Sequence, residues 1–171
     1  MTGLELYSHS LLEDQLWYVA HPVHPTDEEV AAFRVRRDEA YTAERVAGCL
    51  LFSDRTFMVP KNDHEVREAI VRDNIANAKV WLAWLTRAFP TITFIAPWIA
   101  ALDGGGDNDL DPAMRARGIR DCCRTIRRCS GMVHVGGRVS SGMTEEAKVA
   151  AQVVDLTFFG RRPPATLEVN P

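Results

Sequence analysis

Residues 131–151, GMVHVGGRVSSGMTEEAKVAA, constrain the fold of this chain more than any other stretch. They open with a short apolar run, Met132, Val133 and Val135, of the kind that forms a buried parallel strand. Gly136 and Gly137 interrupt that run as a turn needing positive φ does. Ser140, Ser141 and Gly142 come next, followed by a helical run with Glu145, Glu146, Ala147 and Ala150. A strand, a Gly/Ser turn and a helix start make a corner whose leading N–H groups lack partners and attract anions. The same dipole keeps a carboxylate in the first helical turn ionised. Such a corner can grip an anionic ligand and aim one carboxylate at it.

The rest of the chain alternates strand and helix around this corner. Residues 16–20 (LWYVA) read as a first strand, ended by His21-Pro22-Val23-His24-Pro25. Thr26 with Glu29 is a capping-box start, and Val30, Phe33, Ala40 and Val46 predict one amphipathic helix or two short ones. Residues 49–52 and 56–59 then read as a strand, a turn and a strand, closed by Pro60. Over 64–89, Val71, Ile75, Ala78, Leu82 and Leu85 share one helical face, while Trp81 and Trp84 are placed for packing. Residues 91–96 form the next strand, closed by Pro97-Trp98, and residues 103–109 are a loop near the site by composition. That loop is acidic, but its triple glycine lacks the spaced oxygen ligands of a calcium loop. Asp111-Pro112 opens a helix through Ile119, Cys122, Ile126 and Cys129, residues 153–159 form the last strand, and residues 161–171 a tail.

This alternation predicts an α/β fold: an open, mainly parallel, Rossmann-like (flavodoxin-like) sheet with helices on both faces. One domain spans residues 1–171, with a helix-plus-hairpin insertion at about residues 26–66. Ligands of such sheets bind beyond the carboxyl ends of the strands. The His21-Pro22 loop, Pro97-Trp98 and the 136–146 corner all lie there, so three separated segments converge on one rim.

Composition narrows the functional classes. A net charge of −3 with 25% charged residues argues against general nucleic-acid binding, which needs a basic face. No apolar run reaches membrane-spanning length, and no basic region leads into an apolar segment at the start. Cys49, Cys122, Cys123 and Cys129 do not make a zinc spacing, and three of them share one predicted helix as small hydrophobes. Reduced thiols and a cytoplasmic location are the expectation.

Arg138-Val139-Ser140-Ser141-Gly142-Met143 with Glu146 resembles the R-I-S-S-G-M-x-x-E segment of small bacterial and phage members of the nucleoside 2-deoxyribosyltransferase-like superfamily. The resemblance implies that Glu146 is a nucleophile for the sugar C1′. It also implies that Ser140, Ser141 and the backbone around Gly142 and Met143 hold a 5′-phosphate or 5′-hydroxyl. Ala20-His21-Pro22-Val23 takes the place of a family loop worded A-G-P-Y or A-G-P-F, with His21 for the glycine and Val23 for the aromatic residue. His21 and His24 are either pocket ligands or solvent-exposed side chains. Asn74 matches an asparagine at the start of the family's first helix, where it reaches the pocket or serves as a cap. Trp98 is either a wall for the base or a rim contact, Gly136 shapes the corner, and Asp121 is nearest to a family aspartate that contacts the sugar or helps protonate the base. Family aspartates are replaced here by Ser130 and Gly137.

The resemblance thus implies an N-glycosidase or deoxyribosyltransferase acting on a nucleoside or nucleotide. It implies no metal, no organic cofactor, no membrane partner, and a homodimer or larger homo-oligomer. A non-catalytic module that senses a nucleotide or sugar phosphate with the same pocket is the second reading. A partner protein acting through its insertion is the third.

Overall fold

In the computed structural model, residues 15–46, 62–103 and 110–164 are described. Four strands, β1 (Leu16–Ala20), β2 (Thr93–Ile95), β3 (Gly131–His134) and β4 (Val153–Asp155), form one sheet in the order β2-β1-β3-β4. All three pairings are parallel, with Trp17 beside Phe94 and Gly131, and Val133 beside Val19 and Val154. The strands read as continuous apolar runs because both faces of the sheet are covered.

Successive residues alternate between two cores, as the period-two geometry of a strand requires. Trp17, Val19, Val133 and Val154 pack with Trp81, Trp84 and Leu85 of α2 (Asp63–Ala88). Tyr18, Ala20 and Met132 pack on the other face with Ile126, Cys129 and Met143. The second group belongs to α4 (Pro112–Ile126), α5 (Ser141–Ala147) and their flanks. The open parallel α/β sheet with helices on both faces is therefore the architecture of this chain.

The chain divides into two compact units, Met1–His24 with Asn74–Pro171, and Pro25–Asp73. The first carries the sheet. In the second, α1 (Asp27–Val46) is a single helix opened by a capping box. Thr26 N–H donates to Glu29 Oε2 at 2.8 Å, and Glu29 N–H donates to Thr26 Oγ1 at 3.1 Å. Val30, Val66 and Ile70 form its small core with Phe33, and Arg67 ties Pro25 and Asp27. This unit reaches past the expected 26–66 boundary because the first turns of α2 pack on α1.

Three element boundaries differ from the sequence expectation. The last strand stops at Asp155, whose carboxylate accepts from Thr157 N–H at 2.9 Å and Oγ1 at 2.6 Å. That turn chemistry sends residues 157–159 into a single 3₁₀ turn instead of a strand. β2 begins only at Thr93, because Ile92 N–H turns back to Phe89 O at 3.1 Å. Pro97, expected only to close a strand, instead opens the short helix α3 (Pro97–Asp103), where its missing N–H costs nothing. The expected 49–59 hairpin, most of the 103–109 loop, the end of the 161–171 tail and the side chains of Ala40 and Val46 lie outside the described residues.

Candidate functional site

β1 and β3 are neighbours, but the chain passes from β1 to the β2 edge and from β3 to the β4 edge. A crevice opens at such a switch point, beyond the strand carboxyl ends. A cavity of about 290 Å³ lies there, close to the lower end of small-molecule sites at roughly 300 Å³. Ala20 and His21 line it from the end of β1, Trp98 and Leu102 from α3, Ile119 and Cys122 from α4, and Ser140 and Glu146 from the corner. The crossover helix α4 runs antiparallel to the strands it connects, so its N-terminal part stands at this rim. Its C-terminal Ile126 is buried in the core.

The corner is built by close backbone contacts. Gly136 and Gly137 adopt φ of 94° and 85°. The His21 ring packs so tightly on Gly136 that a Cβ there would sit 2.5 Å from Nε2. His21 is itself buried, and its Nδ1 donates to Pro22 O at 3.1 Å. Arg138 reaches across to His24 O at 2.7 Å, so the loop after β1 is latched to the turn after β3.

Ser140 then caps α5. Its Oγ accepts from Met143 N–H at 3.3 Å, and its own N–H donates to Met143 Sδ at 3.4 Å. This helix phase separates the two glutamates. Glu145 is exposed and accepts from Lys148 Nζ at 2.6 Å. Glu146 is only 8% exposed and lines the cavity.

Burial and the Glu146 charge together perturb two neighbouring acidic groups. Burial first, and the Glu146 charge second, push the Cys122 thiol from 9.0 up to about 12. The same two causes, in the same order, raise the fully buried Tyr18 hydroxyl well above 10.0. A raised acidic pKa favours folding fully below the unfolded value, and that contribution is lost as pH rises through the folded value. Unfolding free energy is therefore expected to fall as pH climbs from 9.0 towards about 12, which denaturant titrations across that window would measure. Cys122→Ser should fall less steeply. Cys122, Cys123 and Cys129 are free thiols, and alkylation in denaturant without reductant should label all four cysteines of the chain.

The structure brings Ala20, His21, Trp98, Asp121, Ser140, Gly142, Met143 and Glu146 together around the cavity, but Pro22, Asn74, Gly136 and Ser141 do not line it. Trp98 is fixed by its Nε1 donating to Val19 O at 2.9 Å, which leaves the ring as part of the wall. Asp121 stands at the rim, exposed and paired with Arg124 at 2.9 Å. Ser141 is exposed, and its Oγ meets Arg115 at 3.4 Å. Pro22 is buried against Gly136.

Asn74 is a clamp instead of a pocket group. It is 2% exposed, its Nδ2 donates to Val23 O at 3.0 Å, and its Oδ1 accepts from Arg161 at 2.9 Å. Asn74→Ala removes the side-chain donor to the buried Val23 carbonyl and one acceptor of Arg161. It is expected to lower stability by about 1–3 kcal/mol in urea unfolding.

On α4, sequence reasoning named Asp121 but missed Arg115, Ile119 and Cys122 as cavity-lining residues. Arg115, Ile119 and Cys122 recur at helical spacing, and that signal was available in the sequence. Among the described residues, no group of three or more His, Cys, Asp or Glu side chains is arranged to hold a metal ion, and no helix is long and apolar enough to cross a membrane. Compared with family models, curated proteins and solved structures, the chain matches none.

Proposed function

We propose that this chain cleaves the N-glycosidic bond of a nucleoside or nucleotide, as an N-glycosidase or deoxyribosyltransferase, with Glu146 as nucleophile. The observation that carries this reading is the contrast between two adjacent carboxylates. Glu145 is spent on Lys148 at the surface, whereas Glu146 is buried at a cavity of about 290 Å³. A buried carboxylate facing a partly apolar cavity is suited to attack an electrophilic carbon. The motif from Ser140 to Glu146, resembling that of the deoxyribosyltransferase-like superfamily, supports the same assignment.

In this mechanism a Glu146 oxygen bonds to C1′ as the C1′–N bond breaks, and the base leaves with its bonding pair and takes up a proton. The product is a glycosyl ester. Water, or a second base, then attacks C1′ as the ester C1′–O bond breaks, Glu146 leaves as its carboxylate and the attacking group gives up a proton to solvent, so that hydrolysis and transfer both retain configuration. Trp98, Leu102 and Ile119 supply apolar wall for the base. Ser140, already an acceptor for Met143 N–H, has its hydroxyl proton to offer the sugar side.

Incubation with a panel of nucleosides and nucleoside monophosphates, with chromatography for free base, tests the proposal. A mass increment of one sugar on the peptide containing Glu146 would identify the ester. Binding without base release from any member would favour the sensor reading instead. The placement of Asp121, exposed and paired with Arg124, is the observation on that side.

We also propose that the chain acts as a homodimer or larger assembly. Met114, which lines the cavity, and Val139, next to Ser140 in the chain, are exposed apolar side chains. Light scattering at tens of micromolar is expected to give at least twice the 19.1 kDa chain mass. A monomeric mass would rule the assembly out.

A further inference from the structure

The reaction written above gives no part to the one strong cation at the cavity. Among the described residues, Arg115 is the only lysine or arginine that lines it. Arg115 is half-buried in the first turn of α4. The α4 dipole disfavours a cation in that turn, so the charge is not there to support the helix.

The Arg115 side chain turns toward the corner. Its Nη2 donates to Ser141 Oγ at 3.4 Å, which holds the guanidinium against the start of α5. A Cβ built on Gly142 would stand 3.7 Å from the same Nη2, 3.7 Å from Ile119 Cδ1 and 3.8 Å from Ser140 Oγ. A guanidinium from α4 and a hydroxyl from the corner thus reach one point above Gly142, and Arg115, Ile119, Ser140 and Gly142 all line the cavity. Glu146 follows Gly142 by four residues, about 6 Å along the axis of α5. The cavity therefore has a cationic end and a carboxylate end one helical turn apart, a span that a furanose ring with its 5′ substituent bridges.

We infer that Arg115 selects a phosphorylated substrate: its guanidinium and the Ser140 hydroxyl take the 5′-phosphate of a nucleoside monophosphate whose C1′ faces Glu146. This rests on Glu146 being the reacting group. A guanidinium presents its N–H donors in a planar fork that matches two phosphate oxygens. A neutral 5′-hydroxyl takes one bond from that fork, whereas a phosphate dianion takes two and brings the opposite charge. Ser140 Oγ accepts from Met143 N–H, so its hydroxyl proton points elsewhere and can reach a third phosphate oxygen. Gly142 belongs in this arrangement because a side chain there would occupy the point on which the two donors converge.

Matched pairs of each nucleoside and its 5′-monophosphate test the inference. Base release by the parent should favour the monophosphate by about 100-fold or more in kcat/KM, and Arg115→Ala should cut that preference by about 30-fold or more. Calorimetry on Glu146→Gln, which binds without turnover, should show the same preference in Kd, and inorganic phosphate should compete with the monophosphate.

A parent that releases base equally from both members of every pair overturns the inference. So does an Arg115→Ala protein that keeps the parent's preference. If the parent releases no base from any pair, the glycosidase reading fails, and calorimetry on the parent decides the Arg115 inference by itself. Monophosphates that bind no tighter than their nucleosides would then overturn it, and tighter binding that Arg115→Ala abolishes would uphold it.

Discussion

Glu146→Gln is expected to reduce base release by about three orders of magnitude or more, while Glu145→Gln leaves it within about twofold of the parent. The two substitutions remove the same charge from neighbouring positions, so the comparison cancels any general effect of acidity. Adjacent helical residues differ by about 100° around the axis, and the Ser140 cap sets the phase that sends one inward. Glu145 meets Lys148 at 2.6 Å in solvent, where an ion pair contributes little. Glu146 is 8% exposed, and no other glutamate lines the cavity among the described residues. Glutamine keeps the shape of the side chain but cannot form the ester. Substrate binding, followed by calorimetry, should therefore survive in Glu146→Gln, because Trp98, Ile119 and the Ser140 cap are untouched. Base release at the parent's rate by Glu146→Gln would exclude the covalent mechanism.

The parts of this molecule that were legible in the sequence are those governed by local rules. The apolar runs at 16–20 and 131–135, the Gly136-Gly137 break and the Asp111-Pro112 and Thr26–Glu29 starts each carry their own physical signature. The structure has a strand, a positive-φ turn or a helix start at each of them. Helix phase made legible that only one of Glu145 and Glu146 turns inward, and the resemblance of the Ser140–Glu146 spacing picked out Glu146, which is the one the structure buries at the cavity.

Other features depended on packing between distant segments. Ile119 and Cys122 looked like members of the same core stripe as Ile126 and Cys129. The structure buries Ile126 and Cys129 but leaves Ile119 and Cys122 on the cavity. The stripe is continuous along α4, and only the end of the sheet decides where core gives way to crevice. Asn74 sat at the right distance from the pocket in sequence terms. Its partners, Val23 O and Arg161, are 51 and 87 residues away and carry no local signal. Strand β4 was overextended for a different reason: the strand-like side chains of Thr157, Phe158 and Phe159 masked a local turn in which the Asp155 carboxylate accepts from Thr157, two residues on.

Gly136→Ala is expected to lower stability by about 2–4 kcal/mol, and Gly118→Ala to raise it by about 0.5–1 kcal/mol, although both add a single methyl group. At Gly136 two independent costs coincide. Its φ of 94° lies where side-chain-bearing residues are strained, and the new Cβ would stand 2.5 Å from His21 Nε2 and 2.8 Å from Pro22 Cδ. The His21 ring is buried and tied to Pro22 O, so it cannot simply swing into solvent. Relief requires the loop after β1 to move, and that loop forms one wall of the cavity. Gly118, by contrast, lies within helix α4, and a Cβ added there would meet nothing within 4 Å, so alanine only restricts the unfolded chain. For a chain of this size the Gly136 change corresponds to a melting temperature lower by roughly 5–15 °C. Ligand affinity should fall with it, because His21 cannot keep its place. Thermal melts of the two variants beside the parent check the pair, and a Gly136→Ala protein that melts with the parent would show that the His21 loop yields freely to the turn.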